Sequence, residues 1–352
     1  DHCVTGVQTC ALPIFYLDNV KQWLDKNKFS SLDFDNIESI FLQKKSKKIS
    51  LIIPTLNEEK TIGSIIEKIF NELNSNFKII DELIIIDGGS SDNTLKIIHK
   101  LKKKYELLHV LSENDILRHY KCKKGKGNQL WKGLYYSKGD IILYCDSDIK
   151  NFHIRMIYGL IGPLLMNEIK FIKGFYERPF IINNQTRTNE GGRVTELCAR
   201  PMFNIFYPEL SGFIQPLSGE YGGYREILEN IQYMTGYGVE TNILIEVYEK
   251  FGLNIMGQVD LLTREHRHQN TNVLSKMSFV IMNTILKRNK NLNLNSNILM
   301  KNYEKKNNEF LKNNIDNNDF LNENFILITD ANDEVLPTMN NYKKNEIFYL
   351  KI

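Results

Sequence analysis

No run of about 18 apolar residues occurs anywhere in this sequence, so no membrane-spanning helix is expected. Cysteine is sparse and unpatterned. Cys3, Cys10, Cys122, Cys145 and Cys198 form no CxxC pair, which argues against a zinc site or a disulfide framework and for reduced thiols in a cytoplasmic protein. A large charge of one sign is missing too. A formal net charge of +3 over 352 residues is too small for a nucleic-acid binder and leaves the basic residues to serve a local anionic ligand. With 42% apolar and 25% charged residues the chain is an ordinary globular one, long enough for one large domain or a domain plus an appendage.

Residues 1–14, DHCVTGVQTCALPI, lack both the basic start and the continuous apolar stretch of a signal peptide. They also lack the Lys/Asn/Ile richness of the rest of the chain. They resemble translated sequencing-adapter sequence and are set aside, with the native chain expected to enter near Phe15 and a helical segment expected over 15–48.

Three short, β-branched apolar runs organise the first half: Ile49 to Ile53, Leu83 to Ile86 and Ile141 to Tyr144. Each suits a strand buried on both faces of a parallel sheet. Between them, Ile62, Ile65, Ile66, Ile69, Phe70 and Leu73 repeat at helical spacing, as do Leu95, Ile98 and Leu101, and then Leu130, Trp131 and Leu134. Strand and helix in alternation predict an α/β, Rossmann-like, mostly parallel sheet, whose ligands bind beyond the carboxyl ends of its strands. From about Lys173 to Tyr237 the chain reads as irregular and acceptor-facing. A helical pattern returns over Val273 to Leu286, and the Asn/Lys-rich remainder beyond Arg288 reads as a peripheral or oligomer-forming tail.

Polar motifs stand at all three predicted strand ends. Asp146-Ser147-Asp148 offers carboxylates for a hard divalent cation bridging diphosphate oxygens, with Asp148 expected on the metal and Asp146 on a ribose or metal-bound water. Pro54 to Glu59 carries Asn57 and Glu58, suited to a base or ribose and equally to a helix start. Asp87 to Asn93 is a glycine-containing turn in which Asp87 and Ser90 are the best nucleotide contacts. Gly125-Lys126-Gly127-Asn128 precedes a helix and places a lysine for phosphate, without the spacing of a Walker loop.

Further on, Gly191-Gly192-Arg193-Val194-Thr195-Glu196 combines backbone freedom, a guanidinium and a hydroxyl for an anionic acceptor, although a helix start explains it nearly as well. Glu240 could bind sugar hydroxyls or be a surface glutamate. His266, in Arg264-Glu265-His266-Arg267-His268, could complete a metal shell, with arginines nearby for phosphate.

In order and spacing, LIIPTLNEEKTIGSII, DELIIIDGGSSDNT, GKGNQLWKGL, GDIILYCDSD, GGRVTEL, QPLSGEYGG, GYGVE and REHRH resemble the glucosyl-3-phosphoglycerate synthase family from about Ser50 to Arg288. The resemblance implies a retaining transferase of the GT-A fold that uses a nucleoside-diphosphate glucose, 3-phosphoglycerate and Mg²⁺ or Mn²⁺. It implies a nucleotide-sugar part over 49–150, an acceptor part over 151–272 and a helical, dimer-forming extension over 273–352. It casts Pro54, Leu56, Glu58, Ser90, Lys126 and Asp146 as nucleotide-sugar contacts, with Asp148 and His266 as metal ligands. Leu217, Tyr237, Glu240 and Arg264 fall on the glucose and diphosphate side, and Gly192, Arg193, Thr195 and His268 on the acceptor side.

Asn57, Gly88 and His268 depart from the family's pattern, which has Asp, Ser and Asn in those places. The expected mechanism is a front-face substitution in which Lys126 and the metal stabilise the departing diphosphate. Glu240 is the nearest candidate for a covalent nucleophile. A transferase using a mannosyl donor or a polyprenyl-phosphate acceptor, or a non-catalytic nucleotide-sugar sensor, are the competing readings.

Overall fold

The computed structural model describes residues 12–120, 122–178, 180–182, 185–187, 192–265, 271–288 and 333–343. The chain opens with α1 (Leu12–Asn27), β1 (Lys28–Ser30) and α2 (Ile37–Lys44). It then alternates through β2 (Ile49–Thr55), α3 (Ile62–Lys68), β3 (Glu82–Asp87), α4 (Thr94–Lys102), β4 (Leu108–Ser112) and α5 (Lys126–Tyr136). Next come β5 (Ile141–Tyr144), α6 (Arg155–Met166), β6 (Phe171–Glu177) and a small hairpin of β7 (Phe180–Ile182) and β8 (Gln185–Arg187). The remainder holds α7 (Arg200–Phe206), β9 (Tyr221–Tyr224), α8 (Arg225–Leu228), β10 (Tyr233–Met234), α9 (Val239–Phe251), β11 (Met256–Thr263), α10 (Thr271–Arg288) and β12 (Val335–Leu336).

One eight-stranded sheet runs in the order β1-β11-β6-β9-β5-β2-β3-β4. Its strands are parallel except β9, which opposes both β5 and β6. The predicted strands are therefore real, and the reason is visible in their alternation. Ile52, Ile84 and Ile142 point into one core with α5, α9 and α10, while Leu51, Ile85 and Leu143 point into another with α3, α4 and α6. Both faces are covered, so most positions are apolar and the buried polar ones, such as Ser50, need a partner. Fully burying each such side chain contributes roughly 1.5–3 kcal/mol.

The sheet runs without a break across residue 150, because β5 pairs with β9 and β9 with β6. Other expectations need correction. The segment read as irregular, 173–237, supplies β9 and α7. The segment over 15–48 is helical only in part, since β1 joins the sheet edge beside β11. Residues 333–343 are not peripheral: Leu336 and Met339 are buried among the helices of the first core, and β12 pairs with β10. Of the presumed leader, residues 1–11 lie outside the described residues, and α1 begins at Leu12.

Candidate active site

The carboxyl ends of the parallel strands meet at one edge of the sheet, and β9 starts at that same edge because it runs the other way. A cavity of about 870 Å³ opens there. Pro54, Leu56 and Glu58 line it after β2, and Asp146 and Asp148 after β5. The two loops are tied together: Thr61 Oγ1 donates to the Ser147 carbonyl at 2.6 Å, and Ser147 Oγ donates to the Pro54 carbonyl at 2.8 Å. Leu217, Tyr237 and Glu240 form further wall, as do Gly192, Arg193 and Thr195.

A network of charge lies at the floor. Lys126, the first residue of α5, places Nζ 2.5 Å from Asp146 Oδ1 and 2.6 Å from Glu240 Oε1. A cation at a helix N-terminus is unfavourable on its own. Burial also works against it, yet Asp146 and Glu240 outweigh both and hold the Lys126 pKa well above the ordinary value.

Arg264, at the end of β11 and only 3% exposed, pairs with Glu220 at 2.9 Å, Asp146 Oδ2 at 2.9 Å and Asp148 Oδ1 at 2.7 Å. It also donates to Tyr176 Oη at 2.6 Å. Burial would raise the Asp146 carboxyl, but Lys126 and Arg264 on either side hold it far below the usual carboxylate range. Gly219 allows this closeness, since a Cβ there would overlap the Asp146 carboxylate.

Both Asp146 oxygens are occupied by cations, so Asp146 fixes Lys126 and Arg264 in place. Arg264 lies at the cavity floor with its charge matched by carboxylates. Asn57 and Ser90 do not line the cavity. Asn57, at φ 58°, accepts from the Ser91 amide at 2.8 Å, and its own amide donates to Ser90 Oγ at 2.9 Å, so the pair staples the two loops together. Asp87 holds its own turn by accepting from the Gly89 and Ser90 amides, while its Oδ1 is buried without a partner among the described residues. His266 and His268 lie outside the described residues.

Asp148 is the side chain that fits a divalent metal. Its side chain is 33% exposed and lines the cavity, and Arg264 pairs with Oδ1. Among the described residues no group of three or more His, Cys, Asp or Glu could hold a metal alone. Mg²⁺ and Mn²⁺ do not require one, because a nucleotide-bound cation takes most of its shell from phosphate and water and one or two ligands from the protein.

Four residues of the site went unread in the sequence. Glu220 is fully buried and anchors Arg264. Lys173 is 1% exposed and donates to the Ser218 carbonyl at 2.8 Å. Arg178 and Asp333 both line the cavity. Asp333 comes from the far C-terminal segment and accepts from the Gly238 amide at 2.7 Å, at the start of the helix that carries Glu240. Only Glu220 had a signal, its place in QPLSGEYGG.

A mostly parallel sheet with a cavity of acidic and basic side chains at its carboxyl edge fits a nucleotide-sugar transferase of the GT-A type. In agreement, the glycosyl transferase family 2 pattern matches residues 50–209. The chain is 48% identical over 266 residues to glucosyl-3-phosphoglycerate synthase of Petrotoga mobilis, across 75% of this chain and 80% of that one. Among solved structures it resembles mannosyl-3-phosphoglycerate synthase from Rubrobacter xylanophilus, with a TM-score of 0.77 and 31% identity over 92% of this chain and 98% of that one. It also resembles glucosyl-3-phosphoglycerate synthase from Mycobacterium tuberculosis in complex with Mn²⁺, UDP and glucosyl-3-phosphoglycerate, with a TM-score of 0.72 and 31% identity over 87% and 96%. The chain belongs to the glucosyl-3-phosphoglycerate synthase family.

Proposed function

We propose that this protein transfers glucose from a nucleoside-diphosphate glucose, UDP-glucose in the first instance, to the 2-hydroxyl of 3-phosphoglycerate with retention of configuration. One observation carries the reading. A single cavity is lined both by Asp148, Lys126 and Glu240 and by Gly192, Arg193 and Thr195, so a diphosphate and a small anionic acceptor can meet in it. The 48% identity to a glucosyl-3-phosphoglycerate synthase supports the same substrates.

Asp148 and His266 would hold Mg²⁺ or Mn²⁺, which supplies charge neutralisation for the departing diphosphate. The chain's own residues do the rest. Lys126, locked by Asp146 and Glu240, fixes a positive charge at the donor side without needing to reorganise. Arg193 and Thr195 bind an anionic end of the acceptor and bring its hydroxyl to the face from which the diphosphate leaves. Glu240 is held by Lys126 and 6% exposed, which suits a carboxylate that orients sugar hydroxyls.

A mannosyl donor is the second reading, favoured by the likeness to the mannosyl-3-phosphoglycerate synthase. The test is a matrix of UDP-glucose, GDP-glucose and GDP-mannose against 3-phosphoglycerate and glycerate, with metal present. Turnover greatest for UDP-glucose with 3-phosphoglycerate supports the proposal. Turnover confined to GDP-mannose, or nucleotide release indifferent to 3-phosphoglycerate, overturns it.

No helix among the described residues is long and apolar enough to cross a membrane. A cytoplasmic location is proposed on the free thiols of Cys122, Cys145 and Cys198. A homodimer formed through the region after Val273 is proposed with it, and light scattering on the purified protein checks that state.

A further inference from the structure

Beside the acceptor loop the cavity wall carries a cation with no counter-ion among the described residues. Arg178 directly follows β6 and lines the cavity together with Gly192, Arg193 and Thr195. Its Nη2 donates to Tyr176 Oη at 2.9 Å, and its guanidinium stands 5.1 Å from the Tyr176 ring centroid. Tyr176 is itself fixed, because Arg264 Nη1 donates to the same oxygen. Arg264 has three carboxylate partners, whereas among the described residues no carboxylate pairs with Arg178, and its buried Nε has no hydrogen-bond partner.

A guanidinium that lines a cavity, is held against a fixed tyrosine and has no carboxylate partner is suited to a planar or tetrahedral anion. Gly192 measures how near the acceptor loop comes. A Cβ on that residue would lie 3.9 Å from Thr195 Oγ1 and 4.0 Å from Arg178 Cδ, so both side chains flank one point.

We propose that Arg178 is a second cationic contact for the acceptor, binding whichever of its two anionic groups Arg193 and Thr195 do not hold. The inference rests on the acceptor proposed above. 3-Phosphoglycerate carries a phosphate at one end and a carboxylate at the other, so a single guanidinium leaves one end unmatched. Gripping both ends fixes the hydroxyl between them, which is where transfer must occur.

Steady-state kinetics of Arg178→Met and Arg178→Lys, with UDP-glucose and metal saturating and 3-phosphoglycerate varied, test this. Arg178→Met should raise the acceptor KM about 10–100-fold, the loss expected for a charge-assisted contact. Arg178→Lys, which keeps the charge but not the fork, should raise it less. The Kd for UDP-glucose, measured by calorimetry, should stay within about twofold in both. If Arg178→Met does not fold, the lysine variant carries the same test, with a KM rise still expected.

An acceptor KM unchanged in the Arg178 variants while Arg193→Met raises it would overturn the proposal. An equal loss of UDP-glucose affinity would do the same. Failure of the unsubstituted enzyme to turn over 3-phosphoglycerate defeats the acceptor assignment instead, and shows before any variant is made.

Discussion

Replacing Lys173 by methionine should stabilise the protein, and by an amount that depends on pH. Lys173 sits in the middle of β6, its Nζ 4.6 Å from the Tyr221 ring centroid. Burial pushes its pKa from 10.5 down to about 7, with Glu240 opposing the fall and Lys126 adding to it. Below pH 7 the folded and unfolded chains both carry the proton, and the full cost of burying the charge applies. Between pH 7 and 10.5 only the unfolded chain binds it, so the folded state gains as pH rises. The gap from 10.5 to about 7, at about 1.4 kcal/mol per pH unit, sets the full cost at roughly 5 kcal/mol.

Lys173→Met removes that cost and leaves the Ser218 carbonyl without its donor, a loss of about 1–3 kcal/mol. The variant should then be more stable by roughly 2–4 kcal/mol near pH 7. Its advantage should shrink by about 1.4 kcal/mol per pH unit toward pH 9. Urea denaturation at pH 7, 8 and 9, followed by the fluorescence of buried Trp23 and Trp131, reads both quantities. A stability difference that does not change with pH would refute the reasoning.

Lys126→Met leaves Asp146 and Glu240 facing each other without their shared cation, and should cost about 3–5 kcal/mol at neutral pH along with transfer activity. Because Asp146 is depressed in the folded state, its ion pairs stabilise above its unfolded pKa of 3.8 and are lost as pH falls below that. The deficit of Lys126→Met, measured by thermal melting, should therefore narrow in acid. Leu336→Ala should cost about 2–5 kcal/mol by urea denaturation, because the C-terminal segment is part of the core. A change under about 0.5 kcal/mol would return it to the surface.

The sequence disclosed the strands that are buried on both faces, since Ile49 to Ile53 and Ile141 to Tyr144 are short, almost wholly apolar runs. It hid β9, whose Tyr-Gly-Gly-Tyr reads as a loop; its glycines are there because Leu143 and Phe171 pack against their backbone. It hid β6 because Lys173 interrupts an otherwise apolar strand. Motif order identified the walls of the site, including Asp148 and Arg193. Lys126, Asp146, Glu240 and Arg264 were also named, but how they pair was illegible because it depends on contacts over distance: Glu220 to Arg264 spans 44 positions and Gly238 to Asp333 spans 95. Asn57 and Ser90, chosen for nucleotide contact, also hydrogen-bond across the two loops, a pairing that their spacing in the chain did not announce.

The most direct test of the central claim is Asp148→Ala, assayed for metal-dependent UDP release from UDP-glucose with 3-phosphoglycerate present. The side chain is 33% exposed and one of three carboxylates on Arg264, so the variant should fold, as circular dichroism will report. Transfer should fall by at least about 10³-fold, since the carboxylate that would hold the cation is gone. Near-normal turnover in a folded Asp148→Ala protein would contradict the account.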